Sequence, residues 1–178
     1  MTSPFRRLLT FKRDERAATA VEFAMLVTPL VGLILASLQL SMIFYAGQLL
    51  QTAAVSASRE LMTGASQQAG ETNVQYKADV CAEPSVSIIF SCSNLMVDVQ
   101  SGSSYSSLNT TPITLTYNGA GAVTNNFAYS TGSPGDILIV RVMYSWPVIA
   151  SPLMPGLANQ PNGNHLLVAT SVFKTEPY

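Results

Sequence analysis

Charge is scarce in this chain, and histidine, tryptophan and cysteine are scarcer. Asp, Glu, Lys and Arg together make up 11% of the 178 residues, against about 25% in an ordinary soluble domain. The single histidine, His165, would have to serve alone as imidazole base. A Ser-His-Asp triad also needs a serine on a sharp turn, and no Gly-x-Ser-x-Gly elbow occurs. Phosphate-binding loops, Gly-x-Gly-x-x-Gly, His-Glu-x-x-His and EF-hand loops are missing too. Two cysteines, Cys81 and Cys92, cannot build a four-cysteine zinc site, and no histidine lies near them. Asp98 and Asp136 are isolated beside apolar runs and read as turn or edge residues, not a catalytic pair. The residues therefore call for no enzyme, no cofactor and no metal.

The most informative absence is local. Between Glu22 and Arg59 there is no charged side chain. As a helix, Ala24 to Tyr45 would span roughly 33 Å, enough for a bilayer core of about 30 Å. The run is longer than the core of a secretory signal, about 7–15 residues, and its helical pattern continues beyond it. Leu38, Met42, Tyr45, Leu49, Thr52 and Ser56 follow one helical face, and Leu50, Ala53, Ala54 and Ala57 another. One helix over roughly 18–63 is expected, stopped at Gly64, with Pro29 loosening or bending it. Gly32 and Gly47 do not form a Gly-xxx-Gly pair.

Arg6, Arg7, Lys12, Arg13 and Arg16 precede this run, against Asp14 and Glu15. Positive residues beside a span stay in the cytoplasm, which puts the N-terminus inside and the remainder outside. The remainder is mildly acidic, so nucleic acid is not an expected partner. Exported cysteines meet an oxidising compartment, where Cys81 and Cys92 would pair. Closing that loop is worth on the order of 3 kcal/mol.

After a polar connector over 65–73, Val74–Cys81 reads as a short helix or strand. Ser85–Ser91, Leu95–Gln100 and Ile113–Tyr117 read as strands. Ser133-Pro134-Gly135-Asp136 is a turn. Ile137–Trp146 is the strongest strand pattern, Ser151–Asn164 a Pro- and Gly-rich loop, and His165–Phe173 a last strand. The expected fold is α+β, a long N-terminal helix packed at its C-terminal half on a small antiparallel sheet. The expected division is a leader over 1–17, a long helix over 18–64 and an exported β-rich domain over 65–178.

Glu22 stands at the head of the span. A carboxylate there either faces headgroups or has a partner, because burying it in hydrocarbon would cost several kcal/mol. Its neighbours, Arg16-Ala-Ala-Thr-Ala-Val-Glu22-Phe23-Ala-Met-Leu-Val-Thr-Pro29, resemble the N-terminus of TadE-like pseudopilins of the tight-adherence (Flp) pilus system. Gln48–Arg59, Cys92–Val99, Asp136–Trp146 and the closing Glu176-Pro177-Tyr178 are similar to later family blocks. The resemblance implies a leader cut by a prepilin peptidase between Ala17 and Ala18, four residues before the Glu22-Phe23 pair. Ala17 replaces the family's usual glycine on the leader side of that bond, and Gln39 stands near a family glutamate in mid-span.

Cutting there frees an ammonium at Ala18, which Glu22 of the same or a neighbouring chain can neutralise. The implied protein is a minor pilin or pseudopilin that starts, extends or tips a tight-adherence pilus. Its implied partners are the peptidase, other pilins or pseudopilins and the assembly platform. The implied location is the bacterial inner membrane, single-pass, with the C-terminal domain periplasmic or carried to the surface within a pilus. The rival reading is a periplasmic scaffold or binding protein that stays anchored in the membrane.

Overall fold

The computed structural model describes residues 15–149 and 156–177, with the side chains of 15–17 and of Ser85 left aside. Residues 1–14 of the expected leader, Pro152 and Pro155 of the expected loop, and Tyr178 lie outside the described residues. The chain divides into two units that meet between Ser41 and Met42.

The first unit is the start of helix α1, Glu15–Met62, which continues through Pro29. Its side chains from Ala18 to Ser41 are exposed or nearly so. The hydroxyls of Thr28, Ser37 and Ser41 donate to the carbonyls of Ala24, Ile34 and Ser37 at 2.7, 2.8 and 2.8 Å. Such back-bonding satisfies each hydroxyl without water.

In the second unit α1 behaves differently. Ile43, Ala46, Leu50, Ala53, Ala54, Ala57 and Leu61 recur at helical spacing and are buried. They pack with Val97, Val99, Leu138, Val140, Val142, Leu167 and Ala169 of a sheet. The alanines keep this buried stripe narrow. Gly64, at φ 82°, turns the chain out of α1 into α2, Ala65–Ala69. α3, Asn73–Ala82, starts with a capping box, in which Thr72 accepts from the Gln75 amide and the Gln75 side chain accepts from the Thr72 amide. A one-turn helix α4, Pro84–Ser87, comes next.

Among the described residues one antiparallel three-stranded sheet forms, in the order β1 (Leu95–Gly102), β2 (Ile137–Trp146), β3 (His165–Lys174). In register, Val97 faces Val142 and Tyr144 faces both Leu95 and Leu167. β2 is central and covered on both faces, which explains its almost unbroken apolar sequence. Both sheet edges have cover. On the β1 side, Val99 exchanges backbone hydrogen bonds with Ala128 and Ser130 at 2.9 Å each. On the β3 side, the Gln51 amide donates to Thr170 O and accepts from Thr170 N at 3.0 and 3.1 Å.

The strands over Ile137–Trp146, Leu95–Gln100 and His165–Phe173 form as expected, the last two running slightly longer. The strand expected over Ser85–Ser91 does not form. Pro84 at the first turn favours a helix start, and Val86 and Phe90, four apart, are buried while Ile88 is 84% exposed. Cys81 and Cys92 are joined, with Cα atoms 5.8 Å apart. A seven-residue strand runs roughly 23 Å, too far for the few remaining residues to bring back. Ile113–Tyr117 forms no ladder either, only a bridge from Tyr117 to Val123. The Asn125 side chain takes the ladder's place, accepting from Thr116 N at 2.7 Å and donating to Thr114 O at 2.9 Å.

Asp98 lies on β1, an edge strand, as expected, but it is buried, 3% exposed. Its carboxylate lies 3.6 Å from the Arg141 guanidinium directly across the ladder. It also accepts from Gln100 Nε2 and from Ala128 N, and Arg141 in turn donates to the Asn109 carbonyl. This ion pair sits on the sheet face away from α1 and fastens the long 103–136 connection to it.

Candidate functional site

The site begins with helix geometry. Ala18, Glu22 and Phe23 lie on α1, and Ala17 lies within its span. Positions four apart share a face, so the amide of residue 18 and the Glu22 carboxylate are one turn apart along the axis. Ala18 and Glu22 are exposed, and Phe23 is 67% exposed.

Beyond Glu22 the helix presents an apolar surface on all sides. Met25, Leu26, Leu30, Leu33, Ile34 and Leu35 are each about half exposed or more. Each such side chain gains about 1.5–3 kcal/mol when removed from water, so a contiguous surface of them marks a membrane or protein contact. The helix is long and apolar enough to cross a membrane, and its most apolar window is unburied. Its hydroxyls already bond to its own backbone, the arrangement hydrocarbon requires. Gln39 is half exposed on the same stretch.

The other singled-out residues have structural partners. His165 Nδ1 bonds to the Leu157 carbonyl at 2.6 Å, which fastens the preceding loop to the head of β3. Asp136 accepts from Ser133 N at 2.8 Å within its turn. The Cys81–Cys92 disulfide ties the end of α3 to the short helical turn before β1. One grouping has no signature in the sequence. Glu60, Glu71 and Asp79 come together from three separate segments, and no spacing between them announces it.

Comparison with known proteins adds to this geometry. Residues 17–59 match the family model described as TadE-like protein. No curated protein and no solved structure matches the chain. The matched stretch starts at the residue before Ala18 and ends where charge returns at Arg59, so it takes in the exposed apolar helix and most of the buried alanine stripe. Over this stretch the chain is similar to the TadE-like proteins.

Proposed function

We propose that the protein is a minor pilin or pseudopilin of a tight-adherence pilus. It crosses the inner membrane once through the first part of α1. Its basic leader is cytoplasmic, and the unit after the span is periplasmic, or on the surface when carried in a pilus. A prepilin peptidase cuts between Ala17 and Ala18. The observation that carries this reading is a lone carboxylate, Glu22, heading a largely exposed, charge-free stretch of helix up to Ser41 within the family-matched segment.

The chemistry stems from what the cut creates. An ammonium at the start of a helix sits at the positive end of the helix dipole and is disfavoured there. One turn on, Glu22 offsets that cost within its own chain. In a bundle it can do the same for a neighbour's amine, and at the membrane boundary such a pair is far stronger than in water. A pair across chains also fixes their axial register. The apolar helices then supply packing, and no step of this role is catalytic.

Glu22→Gln keeps the shape and removes the charge. It is expected to leave membrane insertion intact and to lower piliation about tenfold or more, since a charge-assisted bond contributes about 1.5–3 kcal/mol. Normal piliation by this variant rules the pairing out. Ala17 at the cut position favours one rival, the permanently anchored scaffold. N-terminal sequencing of native protein separates the two. Chains starting at Ala18 in membranes or sheared fibres support the pilin, and an intact leader in every fraction supports the anchor.

A further inference from the structure

Glu60 near the end of α1, Glu71 in the link before α3, and Asp79 on α3 each bring a carboxylate oxygen within 4.8 Å of the other two. Like charges at that separation repel, and among the described residues no ion pair reaches any of the three. Both Glu71 carboxylate oxygens are buried without a hydrogen-bond partner. So is the hydroxyl of Ser66, which is 2% exposed and lines the same pocket as the three carboxylates.

The pattern extends inward. Tyr76, 1% exposed, also has a buried hydroxyl with no hydrogen-bond partner. Among the described residues, all the buried unpartnered side-chain atoms belong to Ser66, Gln67, Glu71, Tyr76 and Tyr129. Native interiors leave few such groups. Two of them, Ser66 and Glu71, line the pocket that holds the three carboxylates, where a polar occupant would satisfy them.

We propose that this pocket binds one calcium ion, with Glu60, Glu71 and Asp79 as carboxylate ligands and the Ser66 hydroxyl beside them. The donors are all oxygen, which selects a hard cation over zinc or copper. Calcium–oxygen distances of about 2.3–2.6 Å allow ligands on opposite sides of the ion to stand roughly 5 Å apart, which accommodates the observed spread. Magnesium, at about 2.0–2.1 Å in a strict octahedron, would require the carboxylates to close in. Water fills the remaining positions of a six- to eight-oxygen shell. The ion links the end of α1 to α3 and holds the intervening segment between them. None of this depends on the pilus reading.

The test uses full-length protein in detergent micelles, stripped with EDTA and dialysed. Equilibrium dialysis with radioactive calcium is expected to show one saturable site per chain, and calcium to raise the melting temperature by a few degrees. Magnesium is expected to bind at least about tenfold more weakly. Glu60 and Asp79 are exposed, so Glu60→Gln and Asp79→Asn are expected to fold normally while weakening calcium binding about tenfold or more. The proposal is overturned if the native chain shows no saturable calcium binding, if both variants bind as tightly as the native chain, or if magnesium binds as tightly as calcium.

Discussion

Two stretches of one helix, residues 18–41 and 43–61 of α1, are both apolar and nearly free of charge between Glu22 and Arg59, yet they meet their surroundings in opposite ways. The first is clothed in Leu, Ile, Met and Phe and hides none of them. The second keeps a narrow stripe of Ala with Leu50 and Leu61, and that stripe is buried to near completion. Large side chains spread round a helix suit a surrounding of indifferent shape, such as lipid. Small side chains on one face suit a surface of fixed shape, such as a sheet. Hydrophobicity alone does not tell these apart; side-chain size and its periodicity do.

The largest effect that could break this contrast comes from truncating one leucine in each stretch. Leu50 is fully buried, so Leu50→Ala should cost about 2–5 kcal/mol through lost transfer energy and a residual cavity. Leu33 is 70% exposed, and Leu33→Ala should change the stability of the second unit by no more than about 0.5 kcal/mol. Trp146 packs edge-on against Phe90, with ring centroids 5.9 Å apart, and is the single tryptophan. Its fluorescence during denaturant unfolding in detergent reads the second unit alone. Equal losses from both variants would erase the distinction.

Enlarging an alanine asks the same question in reverse. Ala54 is fully buried against the core cluster, and Ala54→Leu should cost about 1–3 kcal/mol by overpacking. Ala24 is exposed, and Ala24→Leu should leave the same unfolding curve unchanged. A silent Ala54→Leu would mean that the sheet can back away from the helix.

Legibility in the sequence tracks physical period. The long helix and the strand over Ile137–Trp146 are readable because their patterns persist for many residues. The Val-Ser-Ile-Ile-Phe segment misleads because the disulfide and Pro84, rather than β propensity, decide its path. The burial and pairing of Asp98 are hidden because its partner Arg141 lies across a ladder 43 residues away in sequence, where no local spacing reveals it. The Glu60, Glu71 and Asp79 grouping is hidden for the same reason. Only the Glu22 head is visible, since its chemistry is local, one charge and the apolar run beside it.

The smallest expected effect lies at glycines, and there the two stretches should differ in sign. Gly64 takes φ 82° where α1 gives way to α2, a conformation that costs an L side chain roughly 1–2 kcal/mol. Gly64→Ala should therefore destabilise the second unit by about that much. Gly32 sits inside α1 with ordinary helical torsions, and a methyl there would meet no atom within 4 Å. Gly32→Ala should leave the second unit untouched and strengthen the helix by up to about 1 kcal/mol, because alanine loses less backbone entropy than glycine. The Trp146 unfolding curve measures the first effect, and helical circular dichroism during heating measures the second. If Gly64→Ala proves neutral, the left-handed turn is not what ends the helix, and its arrest must come from packing of the α2 segment beyond it.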